Sequence, residues 1–187
     1  MGQVPLAILL EPIYVLGGTL GTYVGDHAWG GAVIFDRSDL DEVGFLSELR
    51  QTISDDGLLG EHTDVTSIRR VRKVPMGGSL RQTLERHVRF NKIFATHDPG
   101  VAKLSFGALT AVLVGCLFFP FLAVGLTAVT AGVYAAFGVR RASLLLTVPA
   151  LVAAVPLGVY GFTRDTFIWA GRRYRWRSKF DVEVLNE

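Results

Sequence analysis

A long apolar block dominates the second half of the chain. Between residues 104 and 163 the only charged residues are the adjacent pair Arg140 and Arg141, and the others are apolar, small or proline. About 20 apolar residues in a helix cross the roughly 30 Å hydrocarbon layer of a bilayer. The block is long enough to cross a membrane more than once, so the pattern predicts an integral membrane protein.

The block divides into three predicted membrane helices. Pro120 and the arginine pair supply the boundaries, because proline interrupts a helix and paired charges favour a membrane surface. The predicted helices cover residues 104–119, 121–139 and 142–162. Pro149 and Pro156 in the third helix indicate that this piece does not cross fully. Together these helices form a predicted membrane domain over residues 99–162.

The flanks of the block predict its orientation. Basic residues crowd at residues 81–92 and 164–179, and such clusters beside apolar segments are typical of the cytoplasmic face of the cytoplasmic membrane. We therefore expect the polar parts, including a basic tail at residues 163–187, to face the cytoplasm. That arrangement needs an even number of crossings. Either one apolar piece falls short or residues 1–23 add a crossing.

The start of the chain is apolar but irregular. Residues 1–23 have no basic leading region, and Glu11 and two prolines interrupt them. This pattern is a poor match to a signal peptide. We predict a helix that lies on the membrane surface or is buried.

Residues 1–98 are predicted to form a partial α/β domain. The pattern predicts a buried strand at residues 32–35, a helix at about 44–54, a short helix at 58–62 and a strand at 68–74. Ser79 and Gln82 have the spacing of a capping box and predict an amphipathic basic helix at 79–96, lying in the membrane interface. Beyond the membrane block, two short strands about Gly171 are expected.

The composition argues against disulfides, metal sites and nucleic-acid binding. The single cysteine, Cys116, excludes a disulfide framework and a thiolate metal site. The four histidines are scattered without the spacing of metal ligands, so no metal site is predicted. The net charge is only +2, but the basic residues form clusters beside the apolar block. This favours membrane lipid as the partner and argues against nucleic acid.

The polar motifs, taken in order, resemble a known family. Trp29-Gly30-Gly31 precedes a strand, Asp55-Asp56 follows a helix, and Arg86-x-x-Arg89-Phe90 lies on the interface helix before apolar helices and a terminal Trp-x-Gly-Arg-Arg-Tyr-Arg. This series resembles the C-terminal half of membrane-bound family 2 glycosyltransferases, especially the ceramide glucosyltransferase-like and hopanoid or carotenoid glycosyltransferase branch. The resemblance implies a partial catalytic domain of the GT-A type.

The resemblance also implies site residues. An acidic pair supplies the base in that family, which assigns Asp56 as the base and Asp55 as its acidic neighbour. A carboxylate beside another has a raised pKa, which suits a proton acceptor. The alternative is that Asp55-Asp56-Gly57 only ends a helix.

The basic motif on the interface helix is implied to hold the donor diphosphate. Arg86 and Arg89 share a helix face and could offer forked donors to it, with Phe90 beside them. Anchoring to lipid headgroups is the alternative for the same face. Trp29, Gly30 and Gly31 are implied to line the acceptor site, where glycine lets backbone approach a ligand; a plain tight turn is the alternative.

The chain departs from the family in two ways. Phe90 stands where the family motif has tryptophan, and the family's nucleotide-binding half, with its D-x-D metal motif, is missing. Asp39-Leu40-Asp41 matches D-x-D by letters, but helix capping is the favoured interpretation. We therefore expect an acceptor-side half of an inverting transferase, inactive without a donor half that binds nucleotide-sugar and a divalent metal. One subunit of a split enzyme and a non-catalytic, lipid-binding remnant are the alternatives.

Overall fold

The computed structural model describes residues 5–23, 34, 38, 40, 42–52, 54–63, 66 and 79–185. The helices are α1 (Pro5–Tyr23), α2 (Glu42–Leu49), α3 (Asp55–His62), α4 (Leu80–His97), α5 (Pro99–Phe118), α6 (Pro120–Ala136) and α7 (Thr147–Thr163), with a 3₁₀ helix at Ala142–Leu146 leading into α7. The strands are β1 (Thr166–Trp169), β2 (Arg172–Ser178) and β3 (Asp181–Leu185). The described part of the chain is mostly helical, with one small antiparallel sheet.

Helix α4 begins as its sequence predicts. The Ser79 hydroxyl accepts a hydrogen bond from the Gln82 amide at 3.3 Å, and the Gln82 side chain accepts one from the Ser79 amide at 2.7 Å. This reciprocal capping box satisfies two amides at the start of the helix. At the other end, Asp98 accepts from the Val101 amide at 3.0 Å and so caps α5 directly after α4.

The region before α4 differs from the prediction. Ile34, from the expected buried strand, is 94% exposed and in no regular element, so burial is wrong at this position. Most of that strand, all of the expected strand at 68–74, and the D-x-D letters at Asp39 and Asp41 lie outside the described residues. The described strands all follow the membrane block, and a GT-A domain is not shown.

The acidic pair begins a helix and does not end one. The predicted helix at 44–54 stops at Leu49, and Ser54 caps α3, which contains both aspartates in its first turn. Negative charge is favourable there because the first amides of a helix point toward it. The two short helices pack through a small core of Phe45, Leu58 and Leu59.

Among the residues that the structure describes, two helices are long and apolar enough to cross a membrane by length and composition. They are Pro99–Phe118 and the combined segment Ala142–Thr163. Only 11% of the apolar window of α5 is buried, unlike a core helix of a soluble protein. Leu104 and Phe118 are 73% and 74% exposed, so these surfaces support association with a membrane.

The three predicted apolar pieces differ in length. The break at Pro120 is present and starts α6, which has 17 residues and is shorter than the two helices described above. The segment that contains Pro149 and Pro156 has 22 residues and meets the length for a crossing. Proline inside an apolar helix is therefore tolerated here.

Helix α7 is the centre of the helical packing. Its small residues allow close contact, since a Cβ on Gly158 would meet Phe106 of α5 at 2.6 Å and one on Gly161 would meet Asn91 of α4 at 2.5 Å. The rings of Phe106 and Phe162 also meet edge to face, 5.4 Å apart. The first half of α5 thus lies against the second half of α7.

Helix α1 joins this group through polar contacts. Glu11 forms an ion pair with Arg141, which lies between α6 and the 3₁₀ helix. One turn further along α1, the Tyr14 hydroxyl is 2.9 Å from Nδ1 of His87 on α4. These contacts place α1 against the other helices, and they give the charge of Glu11 a partner within the apolar sequence.

The C-terminal sheet covers the other side of α4. The expected hairpin is confirmed: β1 pairs with β2 about Ala170 and Gly171, whose φ angles of 50° and 79° suit a tight two-residue turn. The third strand, β3, was not predicted. Val88 of α4 packs with Phe167 and Trp176 of the sheet, so α4 lies between the sheet and the apolar helices.

Candidate functional site

The carboxylate of Asp56 is held at the start of α3. Its Oδ1 accepts a hydrogen bond from the Ser54 hydroxyl at 2.6 Å and from the Gly57 amide at 3.0 Å. Asp55 is exposed, and its Oδ1 accepts from the amide of Asp56 at 3.0 Å. Asp56 is half-buried, so the two neighbours have different surroundings. These bonds fix the direction of the Asp56 side chain.

The next residue is a contact point between α3 and α4. A Cβ on Gly57 would lie 3.0 Å from both Cε1 and Nε2 of His97, so the imidazole packs directly on the glycine backbone. Nδ1 of His97 is 2.9 Å from Glu61, and Glu61 also pairs with Lys179 from the turn between β2 and β3. The turn that contains Asp56 is thereby tied to α4 and to the sheet.

Glu61 is ionised in this arrangement. Burial would raise the pKa of its carboxyl, but the hydrogen bonds and charges of His97 and Lys179 together lower the pKa below its ordinary value of 4.5. Nε2 of His97 is buried, and it has no hydrogen-bond partner among the described residues.

The two arginines of the basic motif lie on the same part of α4 as expected. Burial lowers the pKa of the Arg89 guanidinium, the nearby charge of Arg86 lowers it further, and the charge of Asp56 raises it. Arg86 and Arg89 lie on α4, and the turn that contains Asp56 meets this helix where His97 packs on Gly57.

Two aromatic rings contact Arg89. The guanidinium carbon is 5.4 Å from the ring centre of Phe90 and 4.8 Å from that of Trp169, the last residue of β1. Phe90 also meets Tyr14 of α1 edge to face, 6.3 Å apart. Sequence reasoning missed Trp169 as a site residue. The available signal was its place in the aromatic and basic motif after the membrane block.

The remaining predicted residues lie elsewhere. Trp29, Gly30 and Gly31, the predicted acceptor-site backbone, fall outside the described residues. Among the residues that the structure describes, no three His, Cys, Asp or Glu side chains come together as ligands for a metal ion. Asp55 and Asp56 therefore do not form part of such a group.

Comparison with known proteins adds no relative. No family model matches the chain, and no curated protein or solved structure is significantly similar to it. The resemblance to glycosyltransferases rests on the sequence motifs and their order alone.

Proposed function

We propose that this chain is the acceptor-side half of an inverting membrane glycosyltransferase of the family 2 type. In the full enzyme, a sugar moves from a nucleotide donor to a lipid or polyisoprenoid-type acceptor. The observation that supports the proposal is the contact between Gly57 and His97, which joins the turn that contains Asp56 to α4, the helix that carries Arg86 and Arg89. In this proposal Asp56 is the proton acceptor and the two arginines are the cations.

The chemistry follows from these groups. The acceptor hydroxyl attacks the anomeric carbon, a new bond forms between that oxygen and carbon, and the bond to the donor diphosphate breaks. The hydroxyl proton goes to the Asp56 carboxylate. Arg86 and Arg89 balance the negative charge that the diphosphate gains as it leaves. The divalent metal of such enzymes would add charge compensation from the donor half, and no step above depends on it.

The helix order supports a site at the membrane surface. Helix α4 leads directly into α5, and β1 directly follows α7. The amide of Ile168 in β1 donates a hydrogen bond to Glu85 of α4 at 2.9 Å, so the chain leaves and returns on the same side of the apolar helices. An even number of crossings meets this condition, and the basic flanks favour the cytoplasm for that side.

A lipid-binding scaffold without catalysis is the second candidate. The observation in its favour is that Asp56 already has a local role, because it accepts hydrogen bonds from Ser54 and Gly57 at the start of α3. In that case the arginines on α4 bind anionic headgroups.

Transfer activity with a nucleotide-binding half separates the two candidates. The full chain, in detergent or lipid discs, is mixed with or fused to the nucleotide-binding half of a related transferase and given nucleotide-sugar and lipid acceptor. Asp56→Asn should abolish turnover and leave binding of inorganic pyrophosphate unchanged, because size is kept and the proton acceptor is lost. Arg86→Ala and Arg89→Ala should weaken pyrophosphate binding.

Arg81→Ala is the matched control, since this arginine is on the same helix and exposed. It should behave like the parent in both assays. An Asp56→Asn variant as active as its parent would remove the base assignment. Transfer by the chain alone would contradict the need for a donor half, and lipid binding without any transfer in the reconstituted mixture would favour the scaffold.

A further inference from the structure

We propose that Trp169 is the positioning residue for Arg89, and that the β1–β2 hairpin forms one wall of the diphosphate site. The identity of the ligand rests on the proposed function, whereas the placement of Arg89 by Trp169 does not. The starting observation is the guanidinium carbon of Arg89, 4.8 Å from the centre of the Trp169 ring. At this distance the cation is attracted to the electron-rich face of the indole.

The position of Trp169 is fixed by the turn that follows it. Ala170 and Gly171 both have positive φ, the backbone of a two-residue hairpin turn, and Trp169 faces Arg172 as the closing pair. Tyr174 supports the indole from β2, with ring centres 6.1 Å apart. Trp169 is nevertheless 44% exposed, so its ring is at the surface of the hairpin and not part of the core.

The hairpin is aligned with α4 by a separate contact. The Ile168 amide donates to Glu85, which lies one helical turn before Arg89 and so shares its side of α4. Ile168 and Trp169 are neighbours in β1. One hydrogen bond and one cation–π contact thus join two successive positions of the strand to two successive turns of the helix.

Arg89 depends on this contact for its orientation. Its Nε is buried without a hydrogen-bond partner in the described part of the chain. A guanidinium that lies over ring faces still presents the N–H groups at its own edge, and these can reach a phosphate oxygen. Without the indole, we expect the side chain to move toward the negative charge of Asp56, which would make it less available to an anionic ligand.

The test uses the full chain in detergent, with inorganic pyrophosphate as the probe. Trp169→Leu should weaken pyrophosphate binding about tenfold, the size of a partly desolvated cation–π contact. Trp169→Phe keeps a ring face and should recover most of the affinity. The matched control is Phe180→Leu, which removes an exposed ring lying 4.9 Å from the Lys179 nitrogen at the other end of the sheet. It should bind like the parent.

A spectroscopic readout makes the result independent of the ligand. The ring current of Trp169 should shift the Arg89 side-chain NMR resonances, and Trp169→Leu should abolish that shift while circular dichroism stays unchanged. Unchanged Arg89 resonances in Trp169→Leu would overturn the inference. If the Arg89 resonances move but Arg89→Ala binds pyrophosphate like its parent, the positioning holds and the proposed donor site fails.

Discussion

The imidazole of His97 packs against the backbone of Gly57, which directly follows Asp56. The space for a side chain at Gly57 is filled by this ring and by the Ser54 hydroxyl, whose Oγ would be 2.9 Å from an added Cβ. Two elements that are distant in the sequence therefore depend on the smallest side chain at this point. The turn that contains the proposed base is fixed by packing as well as by hydrogen bonds.

Gly57→Ala should destabilise the protein by about 1–3 kcal/mol, because the methyl group overpacks the contact with His97. Thermal unfolding in detergent measures the change. The matched control is Gly132→Ala, where an added Cβ meets nothing within 4 Å. Alanine at this helical position should be neutral or stabilising, by up to about 1 kcal/mol. Equal behaviour of the two variants would contradict the packing at Gly57.

Stability should fall in acid partly through Glu61. Its pKa in the folded state is below the ordinary value of 4.5, so its contribution is present above that value and is lost as the pH falls through the lowered pKa. Glu61→Gln removes the charge and should flatten the stability curve in this range. Chemical unfolding of both proteins between pH 3 and pH 6 gives the comparison. A Gln variant with the parent's slope would show that Glu61 has no such role.

His87 should add a second pH dependence nearer neutrality. Burial between α1 and α4 lowers the pKa of its imidazole below 6.5, so the folded state favours the neutral ring. The contribution of the neutral ring to stability is fully present above pH 6.5. It is lost as the pH falls through the lowered pKa of the folded state, because the unfolded chain binds the proton more readily. NMR titration of His87 should give a midpoint lower than that of a peptide with the same sequence. A midpoint at or above 6.5 would contradict its burial as a neutral group.

The ion pair of Glu11 and Arg141 should stabilise the helical packing. The two side chains are 15% and 34% exposed, so breaking the pair leaves a partly buried charge. Glu11→Gln should cost about 1–3 kcal/mol, less than the loss for a fully buried pair. The neighbouring Arg140 is exposed, and Arg140→Gln is the control that removes a charge without breaking this contact.

Exchange of the two charges tests the pair directly. The double variant Glu11→Arg with Arg141→Glu should recover part of the stability that either single change loses. A double-mutant cycle from thermal unfolding gives the coupling. Additive losses would show that the two residues act independently.

Local signals predicted local structure well. Ser79 and Gln82 indicated the start of α4, and Gly171 indicated the hairpin, because both depend on residues close in the sequence. The break at Pro120 belongs to the same group. Contacts between residues that are distant in the sequence could not be predicted from local patterns.

Asp55 and Asp56 show that a local signal can also be ambiguous. Aspartates occur both where helices begin and where they end, and only the Ser54 cap assigns them to the start of α3. Trp169 was missed because no spacing in the sequence reports a contact between a strand and α4 across the whole membrane block. Its contact with Arg89 arises from the return of α7, a tertiary effect.

The hydrogen bond from the Ile168 amide to Glu85 has a consequence for self-association. A strand at the margin of a sheet can recruit an identical strand from another molecule, the first step toward ordered aggregates. Here the outer side of β1 is occupied by α4, and strand β2 is enclosed by its two neighbours. In the described sheet, growth by strand addition is therefore restricted to the side of β3.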